Sequence, residues 1–129
     1  MLSIIIPAKN EEQIIQSTLE KIIEEIKCID YEIIVIDDFS NDLNEKDYSQ
    51  MQKNKRLNLI KNKANIGQSL SIHKGIQNAK YSTIVTIDGD GQNNPKDILK
   101  LFKIYQSNDY KLVGGLRLKR KDKIIKLIS

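Results

Sequence analysis

Ile84-Val85-Thr86-Ile87-Asp88-Gly89-Asp90-Gly91-Gln92 decides how this chain is read. Its first four residues are apolar or β-branched. The run is too short for a helix and ends at a glycine-bounded turn, so it predicts a buried strand. Two carboxylates follow at once, one residue apart. In an open α/β sheet ligands sit just beyond the carboxyl ends of the strands, which is where Asp88 and Asp90 stand. Like charges this close repel unless a cation lies between them. Carboxylate oxygens at that spacing suit Mg2+ or Mn2+, which keep positions open for nucleotide phosphates. Gly89 and Gly91 permit a tight turn, and Gln92 adds an amide oxygen. An isolated Asp-x-Asp is most often a solvated turn. Here Asp37-Asp38 closes a second apolar run in the same way, which favours the ligand reading.

The 129 residues suffice for one domain with a core, and 40% hydrophobic against 29% charged residues describes a globular sequence. No apolar run nears the roughly 20 residues of a membrane span. Met1-Leu2-Ser3-Ile4 lacks a basic n-region, so no secretory leader is expected. Cys28 stands alone, which excludes an internal disulfide, fits a reducing compartment and reads as a buried small hydrophobe. The net charge of +4 is carried by the end of the chain, where Arg117, Lys119, Arg120, Lys121, Lys123 and Lys126 face only Asp122.

Outward from the central stretch, Leu2–Ile6 reads as a strand that Pro7 stops. Ile14, Ile15, Leu19, Ile22, Ile23 and Ile26 recur at helical spacing, predicting an amphipathic helix over Glu12–Lys27 with Asn10 as its cap. A second strand covers Tyr31–Ile36, a surface helix Asn44–Asn54, a short strand Leu57–Ile60 and a helix Gln68–Ala79. Ile84–Ile87 is expected as the central strand. Pro95 opens a helix that buries Ile98, Leu101, Phe102 and Tyr105. Tyr110–Val113 is a last strand. His73 is expected on a partly exposed helix position, Tyr105 and Tyr110 in the core or at its rim, and Lys53-Asn54-Lys55-Arg56 in a solvated turn. Strands alternating with helices predict an α/β fold: a mostly parallel sheet, right-handed crossovers and helices on both faces.

Three loops then share one edge of the sheet: Pro7–Glu11, Asp37-Asp38 and Asp88–Gln92. That convergence describes a site for a nucleotide diphosphate bridged to protein by a metal. The sequence has no G-x-G-x-x-G after its first strand and no G-K-S/T, which argues against a dinucleotide-binding dehydrogenase and a P-loop NTPase.

Ile6-Pro7-Ala8-Lys9-Asn10-Glu11, Ile36-Asp37-Asp38-Phe39-Ser40-Asn41-Asp42, Asn65-Ile66-Gly67-Gln68 and Asp88-Gly89-Asp90-Gly91-Gln92-Asn93-Asn94-Pro95 together resemble family 2 glycosyltransferases of the GT-A (Rossmann-like) fold. Within them the chain is most similar to the dolichyl- or undecaprenyl-phosphate sugar transferase branch, to which Gly114-Gly115-Leu116-Arg117 also points. The resemblance implies that Pro7, Lys9 and Glu11 line the base and ribose, and that Ile36 and Asp38 hold the nucleoside. It implies that Asp88 and Asp90 bind Mg2+ or Mn2+ with Gln92 as third ligand, and that Gly89 lies against the nucleotide. Arg117 would face the sugar phosphate and stabilise its charge. Residues 1–116 are thereby expected to form a nucleotide-sugar-binding domain and 117–129 a basic amphipathic segment. The chain covers the donor-side half of the family pattern.

The implied activity is inverting transfer of a sugar from a nucleotide-diphosphate sugar to an acceptor. Asp88, Asp90 and Arg117 are the catalytic candidates. A polyprenyl phosphate acceptor is favoured: it is already an anion near neutral pH and needs no strong general base, and none is evident in the sequence. The alternative is a non-catalytic nucleotide-sugar-binding module or a truncated remnant of such an enzyme. The expected location is cytoplasmic, in the synthesis of cell-envelope glycans. The segment Leu116–Ile128 reads either as a surface for anionic membrane at the inner face or as a core helix with a solvated side. No aromatic residues interleave with its charges, so nucleic acid is not an expected partner.

Overall fold

The computed structural model describes residues 1–41, 49, 51–110, 112–118 and 122–128. The elements are β1 (Leu2–Ala8), α1 (Glu12–Ile26), β2 (Tyr31–Asp37), β3 (Leu57–Lys61), α2 (Gln68–Gln77), β4 (Ile84–Thr86), α3 (Lys96–Ser107), β5 (Leu112–Leu118) and β6 (Asp122–Ile128). By contacts the chain divides into two compact units, Met1–Asn93 and Asn94–Ser129.

In the first unit the strands lie in the order β3-β2-β1-β4, all parallel. Every residue of β1 and β2 is buried. A parallel strand covered on both faces has no reason to alternate, which is why Ile4-Ile5-Ile6 and Ile33-Ile34-Val35-Ile36 are continuous apolar runs. Ile15, Leu19, Ile22 and Ile26 form the buried stripe of α1. Removing each such side chain from water contributes about 1.5–3 kcal/mol. The chain steps from β1 to β2 and β3, then returns past β2 and β1 to β4. With right-handed crossovers, that reversal puts α1 and α2 on opposite faces and makes the β1–β4 crevice the switch point where open sheets bind ligands. Helix α2 sits so close to the sheet that a Cβ on Gly75 would stand 2.5 Å from Ile5 Cγ2.

Several expectations change in detail. Strand β1 runs through Pro7 to Ala8. Its pairing with β2 continues through Pro7↔Ile36 and Ala8↔Asp37, and the Asp38 N–H donates to the Ala8 carbonyl at 2.8 Å. Pro7 is on the alternate set of β1 residues, with Ser3 and Ile5, that faces β4. That ladder stops at Ile5↔Thr86 and the Ile87 N–H to the Ile5 carbonyl, because Pro7 has no N–H to continue it. Proline therefore ends one ladder and spares the other, and the crevice opens where β4 is released.

Strand β4 is not central: it is the three-residue, half-buried edge of the described sheet. The last expected strand, Tyr110–Val113, overlaps the start of β5, which pairs antiparallel with β6. Asn10 does not cap α1. The cap position is Glu11, without a side-chain bond, and Asn10 turns to Asn41 instead. Cys28 is exposed rather than buried, since it follows the end of α1 and leaves the apolar stripe. His73 is exposed, as expected of a helix-surface residue, and Tyr110 is half-buried. The surface helix expected over Asn44–Asn54 falls largely outside the described residues.

At the amino ends of the strands the Ser3 hydroxyl donates to Glu32 Oε1 at 2.6 Å, and the Lys80 N–H reaches the same oxygen at 2.5 Å. The Tyr81 N–H donates to Ser3 Oγ at 3.1 Å. This buried staple ties the chain ahead of β4 to β1 and β2.

In the second unit, Pro95 precedes α3, which buries Ile98 and Phe102 and leaves Leu101 and Tyr105 half-buried. Helix α3 packs on β5. Strands β5 and β6 pair Gly114↔Lys126, Gly115↔Ile125 and Arg117↔Lys123. The described residues of the basic end thus form an antiparallel ribbon rather than a helix, and β5 runs unbroken across residues 116 and 117. No helix among the described residues is long and apolar enough to cross a membrane.

Candidate functional site

The loops at the carboxyl ends of β1, β2, β3 and β4 meet through a chain of hydrogen bonds. It begins at Asp38, the residue after β2. Asp38 Oδ1 accepts from the Ile66 N–H at 2.8 Å and from Asn62 Nδ2 at 3.0 Å, while Oδ2 accepts from the Gly67 N–H at 2.9 Å. Asn65, with its amide oriented to satisfy both neighbours, donates to Asp38 Oδ2 at 2.6 Å and accepts from Lys9 Nζ at 2.5 Å. Burial pushes the Asp38 carboxyl upward. The bonds from Ile66, Asn62 and Gly67, with the Lys9 charge, outweigh that and hold it below its ordinary 3.8.

Gly67 has φ 88 and ψ 169, a backbone region that glycine alone enters without strain, and this turn aims successive N–H groups at Asp38. Asn62 is 2% exposed and fully bonded. Its amide donates to Asp38 and to Ser71 Oγ at 3.1 Å, its oxygen accepts from Lys74 Nζ at 2.9 Å, and its N–H reaches the Asp37 carbonyl at 2.8 Å. Asp38 thus pins the start of α2 to the end of β2.

The next residue carries the chain across the crevice. Gln68 Nε2, at the first position of α2, donates to Asp88 Oδ1 at 2.9 Å. Beyond Asp88 the backbone drops onto the end of β1. A Cβ on the buried Gly89 would stand 3.3 Å from both Ala8 Cβ and the Pro7 carbonyl oxygen, and would collide with Glu11 Oε2. Glycine is required here by close approach. Gly91, at φ 76, closes the turn against α1, where a Cβ would meet Ile14 Cγ2 at 2.8 Å. Between the two glycines Asp90 Oδ1 accepts the Gln92 N–H at 3.0 Å. Asp88 is exposed and Asp90 half-buried.

On the other side of the rim the β1 and β2 loops are laced together. The Asn10 N–H donates to Ser40 Oγ at 2.8 Å, the Asn41 N–H to Asn10 Oδ1 at 3.2 Å, and the Ser40 N–H to Asp37 Oδ1 at 3.3 Å. Asn10 and Phe39 both adopt positive φ, at 53° and 60°.

Of the residues singled out in the sequence, Lys9, Glu11, Asp38, Asp88, Gly89, Asp90 and Gln92 lie on this one rim. Pro7 lies beneath it and shapes it through its backbone. Ile36 is 0% exposed, inside the sheet. Arg117 belongs to the second unit, in β5 opposite Lys123. Asn62, Asn65, Gly67 and Gln68 received no individual role from the sequence, yet they hold the rim together. The signal for three of them was present as Asn65-Ile66-Gly67-Gln68. Asn62 had none, because a single Asn after a strand is commonplace.

Two carboxylates and an amide oxygen on a glycine-bounded turn are hard oxygen donors, a set that fits Mg2+ or Mn2+ when a ligand's phosphates supply the remaining positions. Among the described residues no group of three or more His, Cys, Asp or Glu side chains is placed to hold a metal ion.

A sequence profile described as Glycosyl transferase family 2 matches residues 3–126. An uncharacterized protein of Methanocaldococcus jannaschii is 36% identical over 119 residues, which are 88% of this chain and 50% of that protein. An undecaprenyl-phosphate 4-deoxy-4-formamido-L-arabinose transferase of Pectobacterium atrosepticum is 30% identical over 132 residues, 99% of this chain and 40% of that enzyme. Among solved structures, a mannosyltransferase of Pyrobaculum calidifontis in complex with GDP-Man and Mn2+ superposes with a TM-score of 0.70 at 21% identity, covering 92% of this chain and 35% of that one. The chain thus spans half or less of each of these proteins.

Proposed function

The chain belongs to glycosyl transferase family 2, and on that premise we propose that its rim binds a nucleotide-diphosphate sugar for inverting transfer to a polyprenyl phosphate. The observation that carries the reading is the contact of Gly89 with Pro7, Ala8 and Glu11 while Asp88 takes a bond from Gln68. It supports a single site built from loops far apart in sequence, at the switch point of the sheet. Asp88 and Asp90, with Gln92, would hold Mg2+ or Mn2+ against the donor diphosphate, where the ion supplies Lewis acidity to the departing nucleotide. Lys9 and Glu11 border the nucleoside side of the rim, Gly89 gives the diphosphate a close approach, and Asp38 fixes the loop that carries Gln68. Arg117 is assigned to the sugar phosphate. Donor binding is assigned to residues 1–116, and peripheral contact with an anionic membrane, from the cytoplasmic side, to the basic segment 117–129.

The undecaprenyl-phosphate relative motivates the lipid-phosphate acceptor. An acceptor phosphate is an anion near neutral pH, so the site needs to position it rather than deprotonate it. The test is calorimetric titration of the purified chain with UDP- and GDP-sugars, with and without Mn2+. Binding should require the ion and weaken at least roughly tenfold in Asp88→Ala and Asp90→Ala, about 1.4 kcal/mol. Equal affinity with and without Mn2+ in all three proteins would remove the metal bridge.

A further inference from the structure

Two of the residues assigned to the nucleoside offer it little surface. Ile36 is 0% exposed, and Asp38, at 5%, already accepts bonds from Ile66, Gly67, Asn62 and Asn65. A carboxylate has about four acceptor positions, so Asp38 is nearly saturated by the protein itself. Among the described residues of the loop after β2, the large side chain presented to solvent is that of Phe39, 48% exposed.

Phe39 holds that position against two preferences. A phenylalanine is driven toward a core by its area, and a bulky L-residue avoids φ near 60°. Both costs are imposed by its neighbours. On one side Asp38 is clamped by the α2 loop. On the other, Ser40 is buried, donates its N–H to Asp37 Oδ1 and accepts from the Asn10 N–H. A loop pinned at both flanks leaves the residue between them at the tip of a left-handed turn. Ile66, whose N–H bonds Asp38, is 37% exposed, and Leu70, one helical turn further on, is 57% exposed. Strain that the surroundings over-determine is a mark of ligand clamps.

We propose that Phe39 is the stacking platform for the donor's nucleobase. This rests on the donor-binding reading above and adds the group that recognises the base. An aromatic face selects a flat π-system over a ribose, a phosphate or a hexose, and it tolerates any base. Phe39 thereby supplies affinity for the nucleoside half of the donor, and the Asp88–Asp90 turn supplies affinity for the diphosphate half.

The chain has no tryptophan, so Phe39→Trp places the only indole at the platform, and it can be excited apart from the five tyrosines. Fluorescence of Phe39→Trp is recorded during titration with UDP, GDP and inorganic pyrophosphate, each with Mn2+. Calorimetry of the native chain, Phe39→Leu and Phe39→Gly accompanies it. Stacking predicts that UDP and GDP change the emission and pyrophosphate does not. It predicts that Phe39→Trp keeps native affinity, and that Phe39→Leu and Phe39→Gly lose about 5- to 150-fold for the nucleotides, the range of one base–aromatic stack. Neither variant should lose affinity for pyrophosphate. Phe39→Gly relieves the positive φ, so its thermal midpoint should not fall, which separates lost stacking from lost folding. Native-like nucleotide affinity in Phe39→Leu and Phe39→Gly overturns the platform and leaves donor binding standing. Failure of the native chain to bind either nucleotide overturns both. Emission that responds to anionic lipid vesicles and not to nucleotides assigns the surface to the membrane and also overturns the platform.

Discussion

At each end of the β1–β2 pair a buried carboxylate gathers donors from a distant loop. At the amino end Glu32 accepts from the Ser3 hydroxyl and the Lys80 N–H. At the carboxyl end Asp38 accepts from Ile66, Gly67 and Asn62. Both residues are less than a tenth exposed. The surroundings differ. Every residue with positive φ among those described, Asn10, Phe39, Gly67 and Gly91, lies in a loop at the carboxyl end. So do the exposed Asp88 and the close approach of Gly89 to β1. A buried, satisfied carboxylate is thus a stapling device at either end. What distinguishes a binding rim is the strain and exposure collected around the staple.

The largest test of that comparison removes the carboxyl-end staple. Asp38→Ala leaves the buried Asn62 amide and the Ile66 and Gly67 N–H groups without their acceptor, and should cost about 3–4 kcal/mol in urea unfolding. A loss under about 1 kcal/mol would mean that the α2 loop holds its place without Asp38. The same group sets a pH dependence. Its folded pKa lies below 3.8, so its contribution is complete at neutral pH. As pH falls through 3.8 the unfolded chain takes up the proton first, and stability declines until the folded value is passed. Asp38→Asn should flatten the urea midpoint in that acid window.

Glu32→Ala strands the Ser3 hydroxyl and the Lys80 N–H and should cost about 2–3 kcal/mol. Nucleotide affinity, measured by calorimetry on the folded protein, should be unchanged. A change in affinity would show that the two ends communicate through the sheet. The third test pairs two glycines. Gly89→Ala and Gly75→Ala both force atoms apart and should each cost about 1–3 kcal/mol. Gly89→Ala alone should weaken Mn2+-dependent nucleotide binding, by roughly tenfold or more, since it lifts the Asp88–Asp90 turn off β1. Gly75→Ala disturbs α2 against Ile5, away from the turn, and should leave binding intact. The smallest effect is expected for Gln68→Ala. Its partner Asp88 is exposed, so stability should shift by less than about 0.5 kcal/mol, with a several-fold change in Mn2+-dependent affinity.

The elements most legible in advance were those whose patterns are long or doubly bounded. Strands β1 and β2 follow from runs of Ile and Val that only a two-sided burial explains. Helix α1 follows from six apolar residues at helical spacing. The rim followed from one repeated event, a strand ending in acid. Illegible were the features that depend on neighbours. Pro7 reads as a stop, and whether it stops one ladder or two depends on which strand its missing N–H faces. Ile84–Thr86 reads as any buried strand, and only pairing shows that it lies at the edge of the described sheet. The basic end mixes Leu and Ile with Lys and Arg in a pattern loose enough for helix or ribbon. The register Leu116↔Ile124 decided for the ribbon. Cys28 is an apolar residue by type, but it falls beyond the last turn of α1.

By itself the sequence determined the parallel α/β class, the alternation of strands and helices, and the placing of acidic turns after strands. These follow from periodicity, β-branching and turn chemistry, which act over a few residues at a time. The tertiary structure alone decided that Asp38 faces inward and serves as a clamp, that Gln68 spans to Asp88, that Gly89 rests on Pro7, and that Phe39 is held outward in a left-handed turn. Each depends on groups tens of residues apart competing for the same hydrogen bonds and the same space, and no local pattern records the outcome of that competition.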